Sequence, residues 1–416
     1  MVSRARTAGA GILLLCMTDH LRPLLRNAVD VLPEGALARR LEEAETAGRP
    51  LRIKLGVDPT AGSVTLGWAV VLSKLRAFQD AGHLPVLIIG DFTARVGDPS
   101  GKSKTRPMLT VEQIKANEAD YMRQFAKILD MDRIELRHNS EWLGELGANG
   151  LLELASRATL AQILERDDFS KRYASHTPIS LQELMYPLLQ GYDSVVIDAD
   201  CEIGGTDQKF NLLVGRDLQE QWGKPPQSIM THALLVGTDG TQKMSQSLGN
   251  YIGVEDQPAD MYGKTMSIPD EAMPMWYRLA SGLPEDDAEE RVAALAAGEL
   301  EPVAAKRALA WAITARFHDE AAAEQAAEAF RQQFAEHRIP EDLRTVAVGP
   351  EPTVHVPALL VDHLGVASRG EARRLIAGGA VRLDGETVEE LDLPRDAVVG
   401  KVLQRGRRDF VRLVAG

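Results

Sequence analysis

Apolar positions in the first half of the chain follow two alternating patterns. Leu51–Leu55 (LRIKL) and Pro85–Ile89 (PVLII) are short, nearly continuous apolar runs, the form of strands covered on both faces. Between them, Gly67–Asp80 carries its apolar residues at helical spacing. Strand, helix, strand in this order predicts a βαβ unit and a parallel sheet. Val195–Ile197 predicts another short strand. Thr110-Val-Glu-Gln113 has the form of a capping box, and Ile114, Met122, Phe125 and Leu129 continue it as a helix.

From Pro258 to about Ala335 the pattern is helical and rich in Ala and Glu. Val346–Pro357 interrupts it with Pro350, Pro352 and Pro357 and predicts a linker. Ser368-Arg-Gly-Glu371 then opens a further helix, which Gly378-Gly379 stops, and Val381–Val388 predicts a hairpin turning at Asp384-Gly385. The first sixteen residues pair two arginines with a short apolar run, Ala10–Cys16, that no clear cleavage site follows. They are expected to lie outside the fold, with Met17 as the start. No other apolar run is long enough to span a membrane.

At 416 residues, two or three domains are expected, and 44% hydrophobic with 26% charged residues is an ordinary globular composition. Two cysteines, Cys16 and Cys201, exclude a disulfide scaffold and a cysteine-rich zinc module. The net charge of -13 argues against a surface that binds nucleic acid all over. Placed along the chain, the charge is uneven. Residues 353–416 hold ten Lys and Arg, nine of them Arg, against nine Asp and Glu, a net +1, which leaves 37 against 51, or -14, for the rest. Basic side chains gather at Arg369, Arg373, Arg374 and Arg382, and again at Arg405, Arg407, Arg408 and Arg412.

Four segments offer chemistry. Gly97-Asp-Pro-Ser-Gly-Lys-Ser103 is one residue short of a P-loop, yet its turn sets Asp98 near Lys102, Lys104 and Arg106, a carboxylate for an ammonium beside cations for phosphate. Tyr186 and Gln190 share a helix face, with Asp193 three residues further along it. In Gly204-Gly-Thr-Asp-Gln208, the glycines allow close approach to the backbone, and Asp207 and Gln208 can bind sugar hydroxyls or an amide. Lys243-Met-Ser-Gln-Ser247 puts a lysine on a small-residue loop that could close on phosphate. Singly, each is also compatible with a plain turn or a surface helix.

In this order, DPTA…LG, GDPSGKSKTRP, YPLLQGYD and GGTDQ resemble the bacterial tyrosyl-tRNA synthetases, class I aminoacyl-tRNA synthetases, from about Leu21 to Gly416. The resemblance implies an α/β fold with a Rossmann-like parallel-sheet catalytic domain (17–257). A helical anticodon-binding domain (258–345), a linker (346–352) and a small α+β S4-like RNA-binding domain (353–416) would follow. It implies a tyrosine–tRNA ligase that forms tyrosyl-adenylate from ATP and passes the tyrosyl group to tRNA(Tyr). Such an enzyme is expected to be a cytoplasmic homodimer that takes ATP with Mg2+ as substrate, without a tightly bound cofactor, a resident metal site or a membrane anchor. By position, Asp98, Tyr186 and Gln190 would bind the tyrosine ammonium and Asp193 the phenol hydroxyl, with Asp58 in the same substrate-binding set. Gln208 would lie near the carboxylate, Gly205 and Asp207 near the ATP ribose. Thr60, Lys102, Arg106 and Lys243 would meet phosphates. A buried acceptor left unpaired by phenylalanine would explain its rejection, for which this family is itself a reference case. In the tail, Arg369, Arg373, Arg374 and Arg382 would bind RNA.

Two signatures depart from the family. The HIGH-type motif reads Thr65-Leu-Gly67-Trp68, with a threonine and a neutral, bulky indole in place of the two histidines. The KMSKS-type loop keeps Lys243 and Ser245 but has Gln246 in place of its second lysine, one cation fewer for the pyrophosphate. Lys54 stands where one branch has Tyr and another Lys. Two outcomes stay open, an activity that is reduced or one that Lys102, Lys104, Arg106 and Arg95 compensate, and a paralogue that binds tyrosine or RNA without catalysis is the alternative.

Overall fold

The computed structural model describes Leu21 and residues 23–99, 109–334, 343–406 and 409–416. The 1–16 extension, Lys102, Lys104, Arg106, Arg407 and Arg408 lie outside the described residues. The chain divides into two compact units, Met1–Ala323 and Glu324–Gly416.

The first unit is built on a six-stranded sheet of β1 (Ala28–Leu32), β2 (Arg52–Val57), β3 (Leu84–Ile89), β4 (Glu135–His138), β5 (Cys201–Gly205) and β6 (Ser228–His232). The order is β1-β6-β5-β2-β3-β4, parallel throughout except for the antiparallel edge strand β1. The chain runs outward from β2 to β4, then crosses back to lay β5 and β6 on the other side of β2. The direction of winding therefore reverses between β2 and β5, and the carboxyl ends of these two strands frame the crevice where open α/β sheets bind ligands.

The expected βαβ unit is present. LRIKL and PVLII fall in β2 and β3, and helix α1 (Leu66–Asp80) joins them, burying Leu66, Ala69, Leu72, Leu75 and Phe78. Helix α2 (Val111–Phe125) starts at Thr110 with both hydrogen bonds of the capping box. Helix α3 (Asp167–Ala174) precedes helix α4 (Leu181–Val196), which opens on a Ser180–Glu183 capping box. Helix α5 (Lys209–Gln221) packs tightly on α4: a Cβ on Gly191 would stand 3.1 Å from the Gly215 nitrogen.

One strand expectation is corrected. Val195 and Val196 form the last turn of α4, and Ile197 caps it. Val195 is buried where it stands, and packing overrides the strand preference of a β-branched run. The strand comes later, at Cys201–Gly205, after a turn in which Asp198 adopts φ 51°.

Five helices fill the stretch read as helical, the first four ending at Phe317. Their buried Met261, Trp276, Tyr277, Leu309, Ile313 and Phe317 belong to the same apolar core as Leu51, Leu66 and Phe78 of the sheet layer. The helices and the sheet thus share one interior.

In the second unit a five-stranded sheet is formed by β7 (Thr345–Val348), β9 (Val381–Leu383), β10 (Glu386–Thr387), β12 (Val402–Arg405) and β13 (Asp409–Ala415), and a two-stranded one by β8 (Thr353–His355) and β11 (Asp392–Pro394). Part of the expected linker is therefore a strand. Val346 and Val348 are buried and alternate with exposed neighbours, which outweighs the prolines that follow, and β7 pairs in parallel with β13. The hairpin turns where expected, with Asp384 and Gly385 at φ 48° and 87°, as a type I′ turn requires. Ser368 accepts the Glu371 N–H, but the Glu371 carboxylate takes the Ala367 N–H instead of closing the box.

Candidate active site

A cleft of about 1030 Å³ opens at the carboxyl ends of β2 and β5, and every described candidate of the first unit lines it. Its deep end is made by α4. The i, i+4, i+7 spacing of Tyr186, Gln190 and Asp193 turns all three toward the sheet, where they are buried. Asp193 is 2% exposed and accepts from the Trp142 indole N–H at 2.8 Å and from Asn139 Nδ2 at 3.3 Å. Burial raises its carboxyl from the ordinary carboxylate range to about 7, opposed by the charge of Lys54 and these two donors.

Beside it, Asp58 follows the end of β2. One of its oxygens accepts from the Tyr186 hydroxyl at 2.9 Å and the other from the Thr93 hydroxyl at 2.7 Å. A Cβ on Gly90 would stand 2.0 Å from Asp58 Oδ1, so this approach exists only because residue 90 is glycine. Burial and the neighbouring carboxylate of Asp58 hold the Tyr186 phenol well above its ordinary value, so it stays a neutral donor.

Asp98 lies across the cleft, paired with Arg166 at 3.2 Å and accepting from Gln208 Nε2 at 2.8 Å. Asn211 donates to both Gln190 Oε1 and Gln208 Oε1 at 2.9 Å, which fixes the orientation of the two amides. Beneath α4, Lys54 and Glu202 are paired at 2.9 Å at 0% and 1% exposure. Lys54 also donates to the Gln190 carbonyl and Ser194 Oγ, while Glu202 accepts from Ser194, Gln190 and Gln227. A buried pair so fully bonded is held by geometry, and removing one partner would strand the other.

The outer end of the cleft carries the two altered signatures. Thr65 precedes the first residue of α1 without using its side chain to cap the helix, so the hydroxyl is not committed there. Gly67 follows, and Trp68 lines the cleft while packing partly on the core. The Thr60 N–H donates to the Asp58 carbonyl in the turn after β2. Opposite, Lys243 reaches Asp207 at 3.0 Å, and Ser245 Oγ is 2.9 Å from Ser247 Oγ. Gln246 donates its amide to the Ser63 carbonyl, so its side chain ties the loop to the segment that leads into α1. A Cβ on Gly205 would stand 2.7 Å from Asp207 Oδ1, which explains the glycine beside that carboxylate.

Asn139, Trp142, Arg166, Asn211 and the Lys54–Glu202 pair were not foreseen as site residues. One signal was available: a lysine inside an apolar strand and a glutamate inside another each demand a buried partner of opposite sign. In the second unit, Arg369, Arg373 and Arg374 are exposed on the helix Arg369–Ala377 and Arg382 is half-buried on β9. None of the four forms a salt bridge among the described residues.

Residues 46–335 match the family model for class I tRNA synthetases (W and Y), and residues 358–392 match the S4 domain. The cleft thus belongs to a class I synthetase domain followed by an S4 module. The tyrosine–tRNA ligase of Moorella thermoacetica is 48% identical over 394 residues, 95% of each chain. That of Thermotoga maritima is 46% identical over 398 residues, 96% of this chain and 98% of the relative. Among solved structures, the tyrosyl-tRNA synthetase of Archaeoglobus fulgidus complexed with L-tyrosine superposes with a TM-score of 0.61 at 24% identity, covering 75% of this chain and 99% of that one, a likeness of fold. The chain belongs to the tyrosine–tRNA ligase family.

Proposed function

We propose that this chain charges tRNA with tyrosine in two steps at the one cleft. ATP and tyrosine form tyrosyl-adenylate and pyrophosphate, and the tyrosyl group then passes to the terminal ribose of tRNA(Tyr). The observation that carries this reading is the set of buried Tyr186, Gln190 and Asp193 with half-buried Asp58 at the reversal point of the sheet, in a chain of this family. Asp193 takes the phenol hydroxyl, and Trp142 and Asn139 hold it ready. Asp98, Tyr186 and Gln190 bind the ammonium, and Gln208 lies toward the carboxylate. Gly205 and Asp207 face the ribose. Thr60, Thr65, Lys102, Arg106 and Lys243 act on phosphate, with ATP arriving as its Mg2+ complex. The enzyme contributes positioning and charge stabilisation more than covalent chemistry. The test is tyrosine-dependent ATP–pyrophosphate exchange on the purified protein. Exchange above background is expected, and tyrosine binding without exchange would leave a tyrosine-binding paralogue instead.

The S4 module would hold RNA through Arg369, Arg373, Arg374 and Arg382, whose guanidinium groups form no salt bridge among the described residues and suit phosphate. Binding of tRNA by the full chain should weaken as salt rises. Replacing Arg373 and Arg374 by alanine should flatten the log–log slope by roughly 0.7–0.9 per arginine. Salt-insensitive binding would remove this assignment.

The protein would act as a cytoplasmic homodimer. Leu152, Leu160, Tyr173 and Leu181 are 69, 61, 67 and 82% exposed in the stretch that leads from β4 into α4, and are the apolar side chains that a partner subunit would cover. Sedimentation should show a dimer that Leu152→Asp with Leu181→Asp converts to monomer. A monomeric wild-type protein would end this reading.

A further inference from the structure

We infer that Asn250 is a positioning residue for the nucleotide, setting the path of the Lys243–Ser247 loop while itself lying outside the cleft; the inference rests on the ligase reading above. Asn250 is 6% exposed. Its Oδ1 accepts the Ser245 N–H at 2.9 Å, and its Nδ2 donates to Asp239 Oδ2 at 2.7 Å and to the Lys243 carbonyl at 3.2 Å. Its main-chain carbonyl accepts the Thr238 N–H at 2.9 Å. Asp239 turns its other oxygen to the Thr241 and Gln242 N–H groups at 2.8 and 2.9 Å, and these bonds hold its carboxyl below the ordinary range. One buried amide therefore connects the start of the loop, through Asp239, to the backbone on both sides of Met244.

The partners admit only one orientation of this amide. An N–H faces Oδ1, and a carboxylate and a carbonyl face Nδ2. A Cβ on Gly237 would stand 2.3 Å from Asn250 Cγ and Nδ2, so the glycine there makes room for the side chain. The Met244 N–H donates to the Leu235 carbonyl at 2.8 Å and Met244 is buried, so the loop is pinned on its inner side as well. With the backbone fixed in this way, Lys243 leaves the loop toward Asp207 and the cleft. Alanine at 250 would leave the Ser245 N–H and one Asp239 oxygen unpaired, and aspartate would set two carboxylates against each other. Exchanging the two side chains, with Asp239→Asn and Asn250→Asp together, keeps one amide donor facing one carboxylate and an acceptor for Ser245, but turns a carboxylate oxygen toward the Lys243 carbonyl, so the exchange repairs the network only in part.

The experiment measures amide hydrogen exchange over residues 237–250, and ATP and tyrosine affinities by calorimetry, on the full chain. In Asn250→Ala the Ser245 amide should exchange about tenfold faster or more, and ATP affinity should fall roughly 3- to 10-fold with tyrosine affinity unchanged. Asn250→Asp should weaken ATP binding further, and adding Asp239→Asn should restore part of it. Unchanged exchange in Asn250→Ala would overturn the inference. So would faster exchange with ATP affinity intact, an equal loss of tyrosine affinity, or a double variant as weak as Asn250→Asp alone. Wild-type protein that binds ATP but exchanges no pyrophosphate sinks only the ligase reading. Wild-type protein that binds no ATP sinks both.

Discussion

Activity toward tyrosine should climb with pH through a midpoint near 7 and level off above it, and the climb should vanish in Asp193→Asn. Burial raises the Asp193 carboxyl from 3.8 to about 7, against the pull of Lys54, Trp142 and Asn139. Below about 7 the folded protein keeps that proton, and a protonated carboxyl is a poorer acceptor for the phenol hydroxyl. Above about 7 the carboxylate is mostly ionised, and its bond to the phenol would be charge-assisted. The effect on stability runs the other way. A carboxyl whose pKa is raised on folding favours the folded state below 3.8, and that contribution is lost as pH rises through about 7. On this assignment the pocket would work best where Asp193 costs the fold most. Losing a hydrogen bond to a charged acceptor should lower kcat/KM for tyrosine by roughly 10- to 150-fold in Asp193→Asn, while phenylalanine changes little. A flat wild-type profile in pyrophosphate exchange, or an intact preference for tyrosine in the variant, would refute the assignment.

Restoring both altered signatures should raise the exchange rate. Trp68 offers one N–H on a bulky ring that also packs on the core, and Gln246 donates to the Ser63 carbonyl. Neither brings a cation to the departing pyrophosphate. Contacts made to transition-state charge are typically worth about 2–4 kcal/mol each, so Trp68→His with Gln246→Lys should gain roughly 10²-fold or more in kcat, with tyrosine KM unchanged. If the double variant matches the wild type, these positions do not limit the reaction, and the remaining cations already supply the charge.

Much of the first unit was legible because its signals are local. The two apolar runs and the helix between them predicted the parallel sheet, and the spacing of Tyr186, Gln190 and Asp193 placed them on one helix face. What escaped depends on contacts distant in sequence. Trp142 and Asn139 reach Asp193 from more than fifty residues upstream, and only the parallel placement of β4 brings them there. Lys54 and Glu202 find each other through β2–β5 pairing, which the strand patterns do not specify. The Val195–Ile197 expectation failed because a β-branched pair at a helix end looks like a strand when its packing is unseen. The linker expectation failed because two buried valines outweigh three later prolines.

The interior shared between the sheet and the helices up to Phe317 has a thermodynamic consequence. A chain cut near residue 257 would lose Met261, Trp276, Tyr277, Leu309 and Ile313, and with them part of the core that the sheet layer shares. The helical segment is therefore no detachable cassette. Heating should melt both layers in a single cooperative transition, and a substitution such as Trp276→Ala, at a residue that does not line the cleft, should lower the melting temperature of the whole catalytic unit.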